Sequence, residues 1–591
     1  MADVEYDLVV VGSGAAGMTA ALTAAHHGLS VVVVEKSECY GGSTARSGGG
    51  VWIPNNEVLA GAGIQDTPQD AQRYLKHIVA GESPEASQRA FLDHGPEMLS
   101  FVLASTPLRF TWVPDYSDYY PEAPGGRACG RSIEPRPLDA KLLGSDRAAL
   151  QVPYLKAPTG LAVMQADYRW MNLVARHPRG LLRSVRVTMR RLVSLVTRRE
   201  LLTMGQALAG GLRAGLDSAG VPVWLDTPLV SLVTGPPEAD GRLDSGRPSG
   251  GRVTGVEVTH DGRPLVIRSR RGVVLTSGGF EHNERMRKEH QREPIGTEWT
   301  VGVPENTGDG IEAGVGLGAA VDVMDDAWWG PSIPLPRGPY FCLAERTLPG
   351  CIMVNARGER FVNEAAPYVD AVHAMYGTGA ATGPAAGPGE NIPTWLIADQ
   401  RYRNRYIFAG LGPRQPFPGR WYQHGAVHRA ATLPDLAAQL GMPGDALQAT
   451  VQRFNGYAAA GLDQDFGRGR SAYDRYYGDP RNKPNPCLGP LDQPPFYAVR
   501  IVPGDLGTKG GLRTDPRARV LRDDGSVIAG LYAAGNAAAP VMGRTYAGPG
   551  ATIGPAMTFG YLAALDAAAL DADATGPAAP GGAGRRTQER G

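Results

Sequence analysis

Residues 7–17, DLVVVGSGAAG, decide the fold. Asp7–Val11 is a short apolar run, which reads as a strand buried on both faces of a parallel sheet. Gly12, Ser13, Gly14, Ala15, Ala16 and Gly17 then fit the pattern G-x-G-x-x-G. The first glycine permits a tight turn, the second lets backbone approach a pyrophosphate, and the third lets a helix pack on the strand. The Ala-rich stretch from Met18 to His27 reads as that helix, ended by Gly28, and Leu29–Glu35 as a second buried strand. The result is a βαβ unit whose helix N-terminus can hold phosphate charge. Glu35 closes the second strand, where a carboxylate can accept both ribose hydroxyls, and Lys36 and Ser37 follow it into the same site. The bland alternative is a glycine-rich turn that binds nothing. Strand, helix and carboxylate at this spacing favour a dinucleotide, but the unit alone does not separate FAD from NAD.

Composition narrows the partners. The 591 residues carry 59 Lys and Arg against 59 Asp and Glu. A balanced chain has no electrostatic reason to bind nucleic acid. The five cysteines are scattered and form no C-x-x-C pair, so neither a disulfide framework nor a metal site is expected. The apolar run from Leu8 follows acidic residues rather than a basic leader, and no apolar stretch reaches the roughly 20 residues of a membrane span. A cytoplasmic protein is expected, peripheral at most on the inner face of the cell membrane.

Further along, 222–276 reads as short strands, Leu229–Thr234, Val253–Thr259, Leu265–Arg268 and Gly272–Thr276, with a Gly/Pro-rich loop at 235–251. Gly278 ends the strand-like run RGVVLTSGG in small residues that let a ligand come close. The region 328–507 has its own texture, with helices expected from Leu433 behind a Thr432 cap and over Asp445–Tyr457, and a low-complexity loop at 377–390. A strand at Val527–Ala534 and an apolar helix at Gly554–Leu570 close the fold, and the tail 571–591 reads as disordered.

The segment after the βαβ unit is a run of small and hydroxylated residues, Tyr40 to Gly50, which includes Gly41, Gly42, Ser43, Thr44, Ser47, Gly48 and Gly49. It resembles the flavin-contacting loop of the fumarate reductase and succinate dehydrogenase flavoproteins. Gly530–Asn536, with Gly535 and Asn536 at its end, resembles the strand-turn that meets the ribityl-phosphate part of FAD in that superfamily. The resemblance implies an α/β fold. A Rossmann-like FAD-binding domain takes 1–326 and 508–570, and an inserted α+β catalytic, capping domain takes 327–507. The histidine that holds flavin covalently in succinate dehydrogenases is missing before Gly41, so non-covalent FAD is expected.

Four patches carry a closer resemblance, to the 3-ketosteroid Δ1-dehydrogenases. They are GGSTARSGGGVWIPNN at 41–56, DYYPEAPGG with GRSIEP at 118–135, RFVNEAAPY at 360–368, and GDLGTKGGLRTD at 504–515 with GRTYAGPGATIGPAM at 543–557. That family desaturates ring A of a 3-ketosteroid with FAD. By motif, the resemblance assigns Tyr368 as the base that takes the C2 proton, with Tyr119 hydrogen-bonded to it to lower its pKa. Tyr546 and the Gly550 N–H would grip the C3 carbonyl, and Thr552 and Ile553 would meet the cofactor. Ala547 stands where some members carry proline. Tyr116, Tyr120 and Tyr340 are the nearest wrong choices, and Lys509 is either a ligand contact or a loop brace. His26, His27, His424 and His428 have no motif support as bases.

An insertion at about 150–210 carries arginines 169, 176, 179, 183, 186, 190, 191, 198 and 199 among apolar residues, with few acids. Read as a basic amphipathic helix over 168–200, it would meet an anionic membrane, which suits a substrate and a quinone acceptor dissolved in lipid. The rival readings are a solvated or subunit-packing helix here, and a fumarate reductase-like enzyme, a 4-ene-forming steroid dehydrogenase or a redox sensor for the whole chain.

Overall fold

The computed structural model describes residues 4–154, 161–235, 251–377 and 389–570. The tail from Asp571 and most of the loops at 235–251 and 377–390 lie outside the described residues. The opening unit comprises β1 (Val4–Val11), α1 (Ala15–His26) and β2 (Val31–Val34). β1 and β2 run parallel, with Leu8 opposite Val31 and Val11 opposite Val34. Leu8, Val9 and Val10 are buried on both faces, as a strand covered by helices on both sides requires. The helix starts at Ala15 rather than Met18, because the motif residues themselves form its first turn.

The main sheet has eight strands. Along its path Arg519–Leu521 is followed by Val527–Ala533, Arg263–Leu275, β1, β2 and Val223–Trp224. Two of the expected strands are one: Arg263–Leu275 runs through without a break. Its first half pairs antiparallel with Val253–His260, and its second half lies parallel to β1 and to Val527–Ala533. A register shift beside Gly272 joins the halves, where φ is +142° and a Cβ would stand 2.4 Å from the Gly530 carbonyl oxygen. Glycine therefore marks a bulge here, and not a chain break.

A separate antiparallel sheet of six strands contains Ala327–Leu335, Phe496–Thr508, Thr394–Asp399, Cys351–Val354, Gly338–Phe341 and Val427–Ala430. The helix Leu433–Leu440 starts where expected, with Thr432 Oγ1 accepting from the Asp435 N–H at 3.2 Å, and Gly444–Ala460 follows. One buried cluster packs this sheet against Trp52, Tyr74 and Phe91 from the N-terminal part of the chain, and Tyr119, Tyr368 and Tyr546 are members of it. The last helix, Ile553–Ala569, packs on α1 so closely that a Cβ on Gly560 would meet the Ala16 carbonyl oxygen at 2.4 Å.

The insertion is two helices, Gln165–Met171 and Pro178–Thr197, instead of one continuous helix. Pro178 lacks an N–H and starts the second, and the His177 side chain caps it. Asp167, fully buried, takes Arg183 at 3.1 Å and Arg190 at 2.5 Å, and Arg176 reaches Asp479 at 2.9 Å. Arginines thus turn inward while Leu182 and Val196 stand 68% and 85% exposed.

Candidate active site

One cavity of about 380 Å³ runs from the glycine turn to the tyrosines. At its first end Gly12 has φ +103°, and a Cβ there would lie 2.5 Å from the Thr276 carbonyl oxygen. Gly14 caps α1 without a side-chain acceptor, and no acid sits in the first turn, so the N-terminal N–H groups and their positive dipole end face the cavity. Glu35 accepts from Ser13 N at 2.9 Å, Ser13 Oγ at 2.6 Å and Ser37 N at 3.0 Å. Burial pushes its carboxyl up, and these donors oppose the shift.

Of the residues expected at a cofactor, Ser13, Ala15, Ala16, Lys36, Ser37, Gly42, Ser43, Thr44, Ser47, Gly48, Gly49, Gly278, Gly535, Asn536, Thr552 and Ile553 line this cavity with Gly12, Gly14 and Glu35. Gly17 and Gly41 do not line it; they sit behind the wall. A Cβ on Gly17 would meet the Gly12 carbonyl oxygen at 2.0 Å, and one on Gly41 would meet Ala45 Cβ at 2.9 Å. Lys36 lines the wall but spends its ammonium on Thr307 Oγ1 at 2.6 Å and Asp309 Oδ2 at 2.9 Å. Gln165 Oε1, Ser277 Oγ and Glu305 Oε2 are buried in the lining with no hydrogen-bond partner among the described residues. Buried polar atoms are normally satisfied, so the cavity is shaped for a polar ligand, and an extended dinucleotide with a flavin fits it.

At the other end the phenols meet. Tyr119 Oη donates to Tyr368 Oη at 3.0 Å. The Tyr119 and Tyr546 rings stack 5.0 Å apart, and Tyr368 meets Tyr546 at 5.6 Å. The three are 2%, 5% and 4% exposed. Tyr546 shares a hydrogen bond with Thr552 Oγ1 at 2.7 Å, and the Gly550 N–H and Tyr368 also favour its phenolate, while burial pushes its pKa up on balance. Gly550 sits at φ +95°, and a Cβ there would lie 2.4 Å from the Gly50 carbonyl oxygen. Tyr368 departs from the expected direction. Burial raises its pKa well above the ordinary value, and the hydrogen bond from Tyr119 lowers it but does not prevail. A phenolate loses more water on burial than one neutral donor returns.

Lys509 is a brace. Its buried ammonium donates to Asp326 Oδ2 at 2.9 Å and to the carbonyls of Arg544 at 2.5 Å and Thr545 at 3.1 Å, the residues just before Tyr546. It also stands 4.9 Å over the Trp328 ring, which packs edge-on against Tyr546 at 4.8 Å. Burial lowers its pKa and Asp326 opposes the shift. Of the other tyrosines considered, Tyr116 lines the cavity and bonds to Tyr477 at 3.0 Å, Tyr120 is held by Asp370 at 2.8 Å, and Tyr340 by Glu345 at 2.6 Å. Reading by motif missed Tyr154, Gln165 and Tyr168 from the insertion, Phe341 at the end of a second-sheet strand and Leu343 just after it, all in the wall. They are single residues in unremarkable contexts, and only the folded chain brings them together.

Comparisons with known proteins give the chain a family. A protein family described as an FAD binding domain matches residues 7–553. The chain is 59% identical over 568 residues to a 3-oxosteroid 1-dehydrogenase of Mycolicibacterium smegmatis, which covers 96% of this chain and 98% of that relative. It is 60% identical over 562 residues to a 3-oxosteroid 1-dehydrogenase of Mycobacterium tuberculosis, covering 95% and 98%. Among solved structures, a 3-ketosteroid Δ1-dehydrogenase from Sterolibacterium denitrificans, in complex with 1,4-androstadiene-3,17-dione, superposes with a TM-score of 0.88. That pair is 41% identical, over 96% of this chain and 100% of the other.

Proposed function

Because the chain belongs to the FAD-binding flavoproteins and, among them, to the 3-oxosteroid 1-dehydrogenases, we propose that it converts a 3-ketosteroid to its 1-ene by trans elimination across C1 and C2. The observation that carries the reading is the hydrogen-bonded Tyr119–Tyr368 pair beside Tyr546, at the far end of a cavity that begins at a dinucleotide turn.

The C2 proton is acidic only while the C3 carbonyl can take enolate charge. The Tyr546 O–H and Gly550 N–H are the donors for that oxygen. Their close approach in the structure supports the assignment, and losing one such donor typically costs about 100- to 1,000-fold in rate. Burial keeps Tyr546 protonated, as a donor must be. Tyr368 takes the C2 proton, and the Tyr119 O–H steadies the charge that Tyr368 acquires. Bound FAD supplies the acceptor for the C1 hydride at its N5.

Gly12, Gly14 and the α1 N-terminus would hold the pyrophosphate and Glu35 the ribose, while Gly535, Asn536, Thr552 and Ile553 would meet the flavin half. No histidine lines the cavity among the described residues, which supports non-covalent binding. Among the described residues of that lining, Lys36 and Arg46 are the only cations, and both already donate to protein groups. A dicarboxylate such as fumarate would find no free pair. A quinone is the proposed electron acceptor, and the exposed face of Pro178–Thr197 the proposed contact with a membrane surface. Among the described residues, no helix is long and apolar enough to cross a membrane.

Anaerobic mixing of the holoenzyme with 4-androstene-3,17-dione tests the reaction. The flavin band should bleach, and the product should carry the new double bond at C1–C2. Tyr368→Phe should retain flavin and slow bleaching by about 100- to 10,000-fold, the usual contribution of a general base. Normal bleaching in that variant removes Tyr368 from the mechanism, and bleaching by a saturated 3-ketosteroid with the new bond at C4–C5, with none by 4-androstene-3,17-dione, overturns the reading.

A further inference from the structure

A second, smaller cavity of about 170 Å³ lies beside the first. The two share a wall, since Trp328, Gly535, Asn536, Thr552 and Ala556 line both. Trp328 Nε1 donates to Asn536 Oδ1 at 3.1 Å within that wall. Tyr119, Tyr368 and Tyr546 line only the first cavity. The second is mostly apolar, with Val541, Met542, Pro555 and Phe559 in its lining. Of its two cations besides, Lys509 is spent on Asp326 and two carbonyls, as described above. Arg513 has no side-chain hydrogen bond or ion pair among the described residues. Of the two carboxylates in the lining, Asp322 accepts from the Val323 N–H at 2.8 Å and Glu82 from the Arg544 N–H at 2.6 Å.

We propose that this second cavity receives the electron acceptor as a quinone ring, separately from the steroid. The proposal rests on the reading of the chain as an FAD-dependent steroid dehydrogenase, and it names the place where that enzyme is reoxidised. Each turnover leaves two electrons and one proton on the cofactor. A quinone takes both electrons, that proton and a second proton from water, so that its two carbonyls become hydroxyls and the cofactor returns to its oxidised form. A flat apolar ring suits the Phe559 and Val541 side, and a guanidinium, which stays charged at any working pH, suits a carbonyl oxygen that gains charge. A soluble dicarboxylate would need a second free cation, and the lining holds none among the described residues. The shared wall brings the ring within one layer of side chains of the cofactor cavity.

The test uses the oxidised holoenzyme and a non-reducible quinone mimic, 2-heptyl-4-hydroxyquinoline N-oxide, followed by calorimetric titration. Binding should be unchanged when the enzyme is first saturated with 1,4-androstadiene-3,17-dione. Arg513→Gln should weaken it about ten-fold or more, the loss of one hydrogen bond to a charged donor, while Arg513→Lys restores part of the affinity. Bleaching of the Arg513→Gln flavin by 4-androstene-3,17-dione should stay normal. Displacement of the mimic by the steroid product, or equal affinity in wild type and Arg513→Gln, overturns the second site. Bleaching by steroid with no binding of the mimic sinks this proposal alone, whereas no bleaching by steroid sinks the dehydrogenase reading beneath it.

Discussion

At the residue scale the decisive fact is that Tyr368 is pushed upward by burial. Its base form is the phenolate, so a raised pKa leaves that form scarce at neutral pH. Below the pKa each pH unit multiplies the base form about ten-fold. The rate under kcat/KM conditions should therefore climb from pH 7 to beyond pH 9 without a plateau, as measured with a saturating artificial acceptor. A profile that levels near pH 7 would mean that another group takes the proton. Lys509 makes a second prediction. Lys509→Met removes the clamp on the Arg544 and Thr545 carbonyls, so kcat should fall by at least about ten-fold, the loss of one charged hydrogen bond, with flavin content unchanged. A variant that keeps kcat would show that the Tyr546 loop holds itself. The identities of Tyr119, Tyr368 and Tyr546 were legible because short motifs surround them. The direction of the Tyr368 pKa was not, because desolvation depends on every side chain that closes over the ring. The same holds for Lys509, whose partners lie at Asp326 and at Arg544–Thr545 and come together only in the fold.

At the scale of elements the βαβ opening was the most legible part. Its apolar runs have the length of buried strands, and its glycines are demanded by backbone contacts such as Gly12 against Thr276. The strand Arg263–Leu275 was misdivided, since a glycine bulge and a chain break look alike in sequence. The insertion was read as one basic amphipathic helix and is two. Asp167 and Asp479 draw Arg176, Arg183 and Arg190 inward, which spacing alone did not reveal, while Leu182 and Val196 stand outside. Replacing Leu182 and Val196 by Glu tests the membrane contact at this level. Co-sedimentation with anionic vesicles should drop several-fold while steroid turnover in detergent is retained, and undiminished co-sedimentation would discard the contact. The wall residues Gln165 and Tyr168 come from the helix beside this face, so the insertion belongs to the cavity as well.

At the scale of the whole molecule, the cofactor cavity joins Gly12–Glu35 to Gly535–Ile553, which carries Tyr546, with Tyr119 and Tyr368 from two further segments. A ligand held by both ends stabilises the native state in proportion to its binding. At about 100 times the dissociation constant, FAD should add about 2.7 kcal/mol, so thermal unfolding of flavin-stripped protein should move up by several degrees when FAD is restored. No shift on adding FAD would show that the cavity does not hold it. The sheets and their order along the chain were legible as textures, while the buried cluster that gathers Tyr119, Tyr368 and Tyr546 was not, since it depends on packing between segments hundreds of residues apart.

That distance in sequence has a temporal side. During synthesis the glycine turn and Glu35 leave the ribosome hundreds of residues ahead of Thr552 and Ile553. Until that second group emerges a nascent chain owns only half a berth for its flavin, and capture of the prosthetic group must wait for it.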